Sequence, residues 1–104
     1  MATSTEEKAL RKQKRYIFKL LDAQHPEAIR TLNFLHEHFR LLDQITGTNY
    51  LVEFDNMIIK RLNPRWILAR ECNVCDKTME RHEHIIVDSF LYMLNSYKNN
   101  RNGI

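Results

Sequence analysis

Only two glycines and two prolines occur in 104 residues. Turns draw heavily on these residue types. The chain therefore signals few reversals, and long helices joined by short connections fit it better than many short strands. The length suits one domain with one core, residues 1–104. Hydrophobic residues make up 43%, ordinary for a globular chain and too many for a disordered one.

Apolar spacing divides the chain into helices. Residues 4–24 read as the first, with Ser4 and Glu7 in the form of a capping box and Thr3 with Glu6 as the alternative frame. Leu10, Ile17 and Leu21 recur on one face, beside Tyr16 and Leu20. His25-Pro26 breaks the pattern, and Pro26 suits the first turn of a second helix, where its missing N–H costs nothing. Glu27 follows, a charge the helix dipole favours there. Ile29, Leu32, Leu35, Phe39, Leu42 and Ile45 then step by three or four, and Gly47 is a natural stop. Phe34 and Leu41 lie on the far side, so this helix is buried twice or keeps one face for a partner.

Residues 49–62 carry two patterns. Leu51, Phe54, Ile58 and Leu62 fit a helix, whereas Tyr50, Val52 and Phe54 alternate as in a strand. The helical spacing covers more of the segment. Asn63 as N-cap and Pro64 at the first position would open a short helix to about Cys72. Asp76 is a cap for the last helix, whose stripe is Met79, His82, Ile86, Phe90, Met93 and Tyr97, widened by Val87, Leu91 and Leu94. From about Asn99 the sequence reads as a flexible tail. The expected fold is an all-α bundle of four to five helices. The alternative is α+β with one short hairpin around residues 50–75.

No apolar run approaches the roughly 18 residues that span a bilayer. Residues 1–7 are polar and acidic, unlike a secretory signal. Two cysteines three apart do not resemble a secreted disulfide scaffold. These features together lead us to expect an intracellular protein, cytoplasmic or nuclear.

The net charge of +3 says little alone, but its distribution is uneven. Lys8, Arg11, Lys12, Lys14, Arg15 and Lys19 fall within twelve residues without an intervening acid. Such a run repels itself in a helix. A polyanion offsets that cost, since Lys and Arg neutralise phosphates and release condensed counterions. The plainer alternative is a solvated face that keeps the protein soluble. A second basic group, Lys60, Arg61, Arg65 and Arg70, surrounds Trp66. An exposed Trp66 would stack on bases; a buried one would be a core anchor with arginines snorkelling around it. On these grounds Arg11, Lys12, Lys14, Arg15, Lys19, Arg65 and Trp66 are the expected contacts to RNA or DNA. An acidic protein surface is the other partner such cations suit.

Cys72 and Cys75, followed by His82 and His84, have the form C-x2-C-x6-H-x-H. The first half is typical of structural zinc sites. The second is not, because residues two apart on a helix point about 200° from each other. His36 or His38 of the second helix is an alternative ligand. Buried or merely structural thiols are the simpler reading. Glu80, Glu83 and Asp88 only approximate the carboxylate–histidine pattern of metals held inside bundles.

Catalytic signatures are missing: there is no glycine-rich phosphate loop, no G-x-S-x-G and no H-E-x-x-H. A small non-enzymatic regulatory binding protein is expected, most readily one for nucleic acid. Viruses and mobile elements often encode accessory regulators of this size. The alternative is a protein-interaction module or inhibitor, or a homodimer, docking through Phe34 and Leu41.

Overall fold

The computed structural model describes residues 4–102, and side chains within 5–99. It contains α1 (Ser4–Asp22), α2 (Pro26–Thr46), α3 (Tyr50–Phe54) running into a π-helical turn (Asp55–Ile59), α4 (Arg65–Glu71) and α5 (Asp76–Asn102). No strand occurs among the described residues, so the hairpin alternative is not adopted. The fold is a small all-α bundle.

Helices α2 and α5 form its spine and run antiparallel. Phe34 and His38 border the same hollow as Asp88 and Tyr92. Further along α2, Phe39 reaches Tyr50, which packs on His82. Helix α1 packs against α5: Lys14 meets Glu83, and Tyr16 Oη accepts a hydrogen bond from Lys98 Nζ at 2.9 Å. The core collects Leu10 and Ile17 of α1, Leu35 and Phe39 of α2, Phe54 and Ile58, and Met79, Ile86, Val87, Phe90 and Leu94 of α5. Of the stripe its periodicity marks out, Met79, Ile86 and Phe90 are buried together with Val87 and Leu94, whereas His82, Leu91, Met93 and Tyr97 are only partly covered and Glu83 is buried beside them.

Gly47 ends α2 in the left-handed region, φ 70°, where its N–H donates to Asp43 O. Asp43 also starts the next helix. Its carboxylate accepts from the backbone N–H of Tyr50 and of Leu51, at 2.9 and 2.8 Å. These are donors that a helix N-terminus leaves unpaired.

The structure departs from the periodicity in four places. Ile45 is 82% exposed rather than core, because its angle on α2 sets it on the outer side with Phe34 and Leu41. Residues 55–59 widen into a π turn, in which Lys60 N donates to Asp55 O across five residues. That turn buries the consecutive side chains Asn56, Met57 and Ile58, which an α-helix would spread around its girth. Pro64 is extended, ψ −176°, so α4 begins one residue late and Asn63 does not cap it; the Asn63–Pro64 peptide bond is cis. Helix α5 continues to Asn102, past Asn99.

Candidate nucleic-acid interface

At 100° per residue, Lys8, Arg11, Lys12, Arg15 and Lys19 share an arc of about 100° on α1. All five are exposed, and none makes an ion pair or hydrogen bond among the described residues. Lys14 sits about 60° from Arg11, towards the core side of the helix. Its Nζ donates to Glu83 Oε2 at 3.0 Å, and both side chains are largely covered.

Arg65 meets the same acid. Its Nε donates to Glu83 Oε1 at 2.6 Å, its Nη2 lies 2.9 Å from Glu7 Oε1, and Glu80 is 4.0 Å from Nη1. Burial works against the guanidinium charge, but Glu83 and Glu7 outweigh it and hold Arg65 more firmly protonated than usual. Lys14 and Arg65 thus leave the set of free cations. They act as internal clamps that join α1, α4 and α5 around one buried carboxylate.

Trp66 has the opposite fate. Leu68, Ala69 and Cys72 take the inner side of α4, and Trp66 is 55% exposed with the Arg70 guanidinium 5.5 Å from its ring. It is not a core anchor.

Part of each basic group, Arg11 and Arg15 of the first and Arg61 and Arg65 of the second, borders a groove formed by a run of adjoining hollows. Arg11, Arg15 and Arg61 line one pocket of about 260 Å³, floored by Phe18, Met57 and Leu62. An adjoining hollow shares Arg11, Leu62 and Asn63 and continues to Pro64 and Arg65. A third, wider hollow starts from Pro64 and Arg65 and reaches Trp66, with Lys77, Arg81 and His84 but also Glu6, Asp76 and Glu80 on its walls, so its charge is mixed. The wall opposite α1 is set by Arg61, whose backbone is left-handed at φ 55°. Arg61 donates to both Asp22 oxygens, at 2.7 and 3.2 Å, and lies 4.4 Å over the Phe18 ring. Hydrogen bonding to Arg61 holds the Asp22 carboxyl below its ordinary range. The sequence does not mark Phe18, Leu62 or Asn63 as groove residues, although Leu62 and Asn63 figure in its helix pattern. Phe18 leaves one trace there, an aromatic residue off the apolar stripe and on the cationic side of α1.

The four residues with zinc-like spacing do not converge. Cys72 is buried and accepts a hydrogen bond from Asn56 Nδ2 at 3.4 Å, whereas Cys75 is exposed with Thr78 Oγ1 at 3.2 Å. His82 Nδ1 and the buried Glu53 Oε2 share a hydrogen bond of 2.6 Å, while His84 borders the wide hollow. Among the described residues, no group of three or more His, Cys, Asp or Glu is placed to hold a metal ion. His36 pairs instead with Asp55 at 3.6 Å, and His38 stacks on Phe34.

The expected interface residues Phe34 and Leu41 are 42% and 46% exposed. With His38 and Ile45 they share an arc of about 60° on α2. Ile85 and Tyr92 of α5, the latter 73% exposed, lie alongside.

No protein-family model, curated protein or solved structure matches this chain.

No helix among the described residues is long and apolar enough to cross a membrane.

Proposed function

We propose that this is a small non-catalytic regulatory protein that binds the backbone of RNA or DNA along the groove beside α1. The observation that carries the reading is that Arg11 and Arg15, free of internal acids, line the same groove as Arg61, and that the groove leads to the exposed Trp66. Lys8, Lys12 and Lys19 extend the positive arc and serve as flanking phosphate contacts. Trp66 offers a stacking surface at the far end. Unpaired guanidiniums on one wall suit phosphate oxygens, which they meet with two parallel donors.

The test is binding of labelled oligonucleotides, followed by fluorescence anisotropy from about 50 to 200 mM salt, the range over which phosphate-driven affinity falls steeply. Arg11→Ala and Arg15→Ala should each lower the slope of log affinity against log salt by about one. Lys14→Ala should leave that slope alone, because Glu83 already neutralises it. Affinity indifferent to salt, or absent for every form of RNA and DNA, would remove the proposal.

A second reading rests on a different surface. Phe34, Leu41 and Ile45 of α2 and Ile85 and Tyr92 of α5 expose large apolar side chains on two adjacent helices. A hollow of about 380 Å³ separates Phe34 and His38 from Asp88 and Tyr92. Contiguous apolar surface of this kind marks an interaction site. The partner we propose is a second copy of the chain, packed two-fold. Arg81 and Asp88 stand on the same side of α5 as Ile85 and Tyr92, so an antiparallel copy brings opposite charges together at both ends. Light scattering should then give twice the 12.5 kDa of one chain, and Tyr92→Glu should return the monomer. A monomer at every concentration up to about 100 μM, well above the micromolar range of standard interfaces, excludes the dimer.

A further inference from the structure

Phosphate contacts alone do not account for the pocket between α1 and the Arg61–Asn63 turn. Its floor is apolar: Phe18 and Leu62 line it, backed by the buried Met57. A duplex presents mainly phosphates and sugars to such a wall, since its bases are stacked inside. Arg11 and Arg15 at the rim would meet those phosphates, and the apolar floor would stay against water. A single strand is different. Its bases splay out and pack on aromatic, apolar and guanidinium surfaces.

We infer that this pocket receives one unstacked nucleotide of a single-stranded nucleic acid, with its phosphate on Arg11 and Arg15 and its base against Leu62 and the Arg61 plane. The inference rests on the nucleic-acid reading above and specifies the form of that ligand. At about 260 Å³ the pocket lies below the range that encloses whole drug-sized molecules, about 300–1,000 Å³, so it has room for one base with its sugar and phosphate left at the rim. Asn63, on the same wall, supplies an amide with both donors and an acceptor, the complement of a base edge.

Arg61 gives the strongest support. A left-handed backbone is costly for a residue with a side chain. Here it delivers a guanidinium that Asp22 and the Phe18 ring already hold in place. A planar group fixed before binding loses little freedom when a base stacks on it.

Met57 is fully buried just behind the pocket lining, so its methyl group senses a base seated there through ring-current and packing effects rather than by contact. Protein carrying ¹³C-labelled methionine methyls is titrated with an oligothymidylate of about ten nucleotides, within the usual single-strand site size. The same strand in duplex with its complement, and inorganic phosphate, form the other two arms. The single strand should shift the Met57 methyl, while Met79 in the core and Met93 beside the α2–α5 hollow hold still. Equal movement with duplex or with inorganic phosphate overturns the inference, because the pocket would then answer to phosphate alone. Single-strand binding that depends on Arg11 and Arg15 but leaves Met57 unmoved also overturns it, and the nucleic-acid reading survives. Binding of neither strand form ends both.

Discussion

Glu83→Ala is expected to lower folding stability by about 3–5 kcal/mol, the usual cost of removing one partner from a buried ion pair. For a domain of this length that corresponds to a fall in Tm of roughly 12–20 °C. Glu83 keeps 4% of its side-chain surface exposed and serves two cations, Lys14 at 16% and Arg65 at 24%. Without it Arg65 retains Glu7 and Glu80, but Lys14 keeps no acid among the described residues. An uncompensated ammonium must then move to water or stay at the helix interface unpaired. Either outcome loosens α1 from α5, and with it the register that sets Arg11 and Arg15 along the groove. Glu83→Gln should fall between, since it retains the shape and some hydrogen bonds and gives up the charge. Thermal melts followed by circular dichroism decide the matter. A Glu83→Ala protein that melts within about 2 °C of the parent, less than 1 kcal/mol on this scale, would mean that the carboxylate is not the clamp.

The same residues show what the sequence could and could not reveal. The fold was legible because the apolar spacing is strong and the chain has few turn residues. The α5 stripe from Met79 to Leu94 needs nothing else. Lys14 was within reach as well: its angle on α1 sets it towards Leu10 and Ile17, apart from the five exposed cations. Arg65 and Trp66 likewise divide on the helix wheel, with Arg65 on the side of Leu68 and Cys72 and Trp66 on the side of Arg70. That division becomes visible only once α4 is known to start at Arg65. Their partners were beyond reach, since Glu83 lies 69 residues from Lys14 and 18 from Arg65. No local pattern encodes such a meeting. The π turn at 55–59 is another case, because the side chains it buries meet residues distant in the chain, as Asn56 meets Cys72. The pocket at Arg61 depends in turn on that turn and on the left-handed residue that ends it.

The two cysteines are expected to differ sharply towards an alkylating reagent. Cys75 should react readily at neutral pH. Cys72 should react slower by at least about 100-fold, the factor that a local opening of about 3 kcal/mol imposes. The thiolate is the nucleophile, so exposure and acidity act together. Burial pushes the Cys72 thiol up, against a smaller opposing effect of the Asn56 hydrogen bond. Hydrogen bonding with Thr78 brings the exposed Cys75 thiol down, since the Thr78 hydroxyl stabilises the thiolate. Cys72 therefore lacks both access and charge, and its labelling should follow unfolding, accelerating in Glu83→Ala if that change loosens α4. Mass spectrometry of iodoacetamide-treated protein over time separates the two sites, and Cys75→Ser should leave a single slow thiol. Equal rates would mean that the Cys72–Cys75 turn does not hold Cys72 against the core. Protection of both thiols, relieved only by a chelator, would reveal a metal drawing together side chains that this fold points apart.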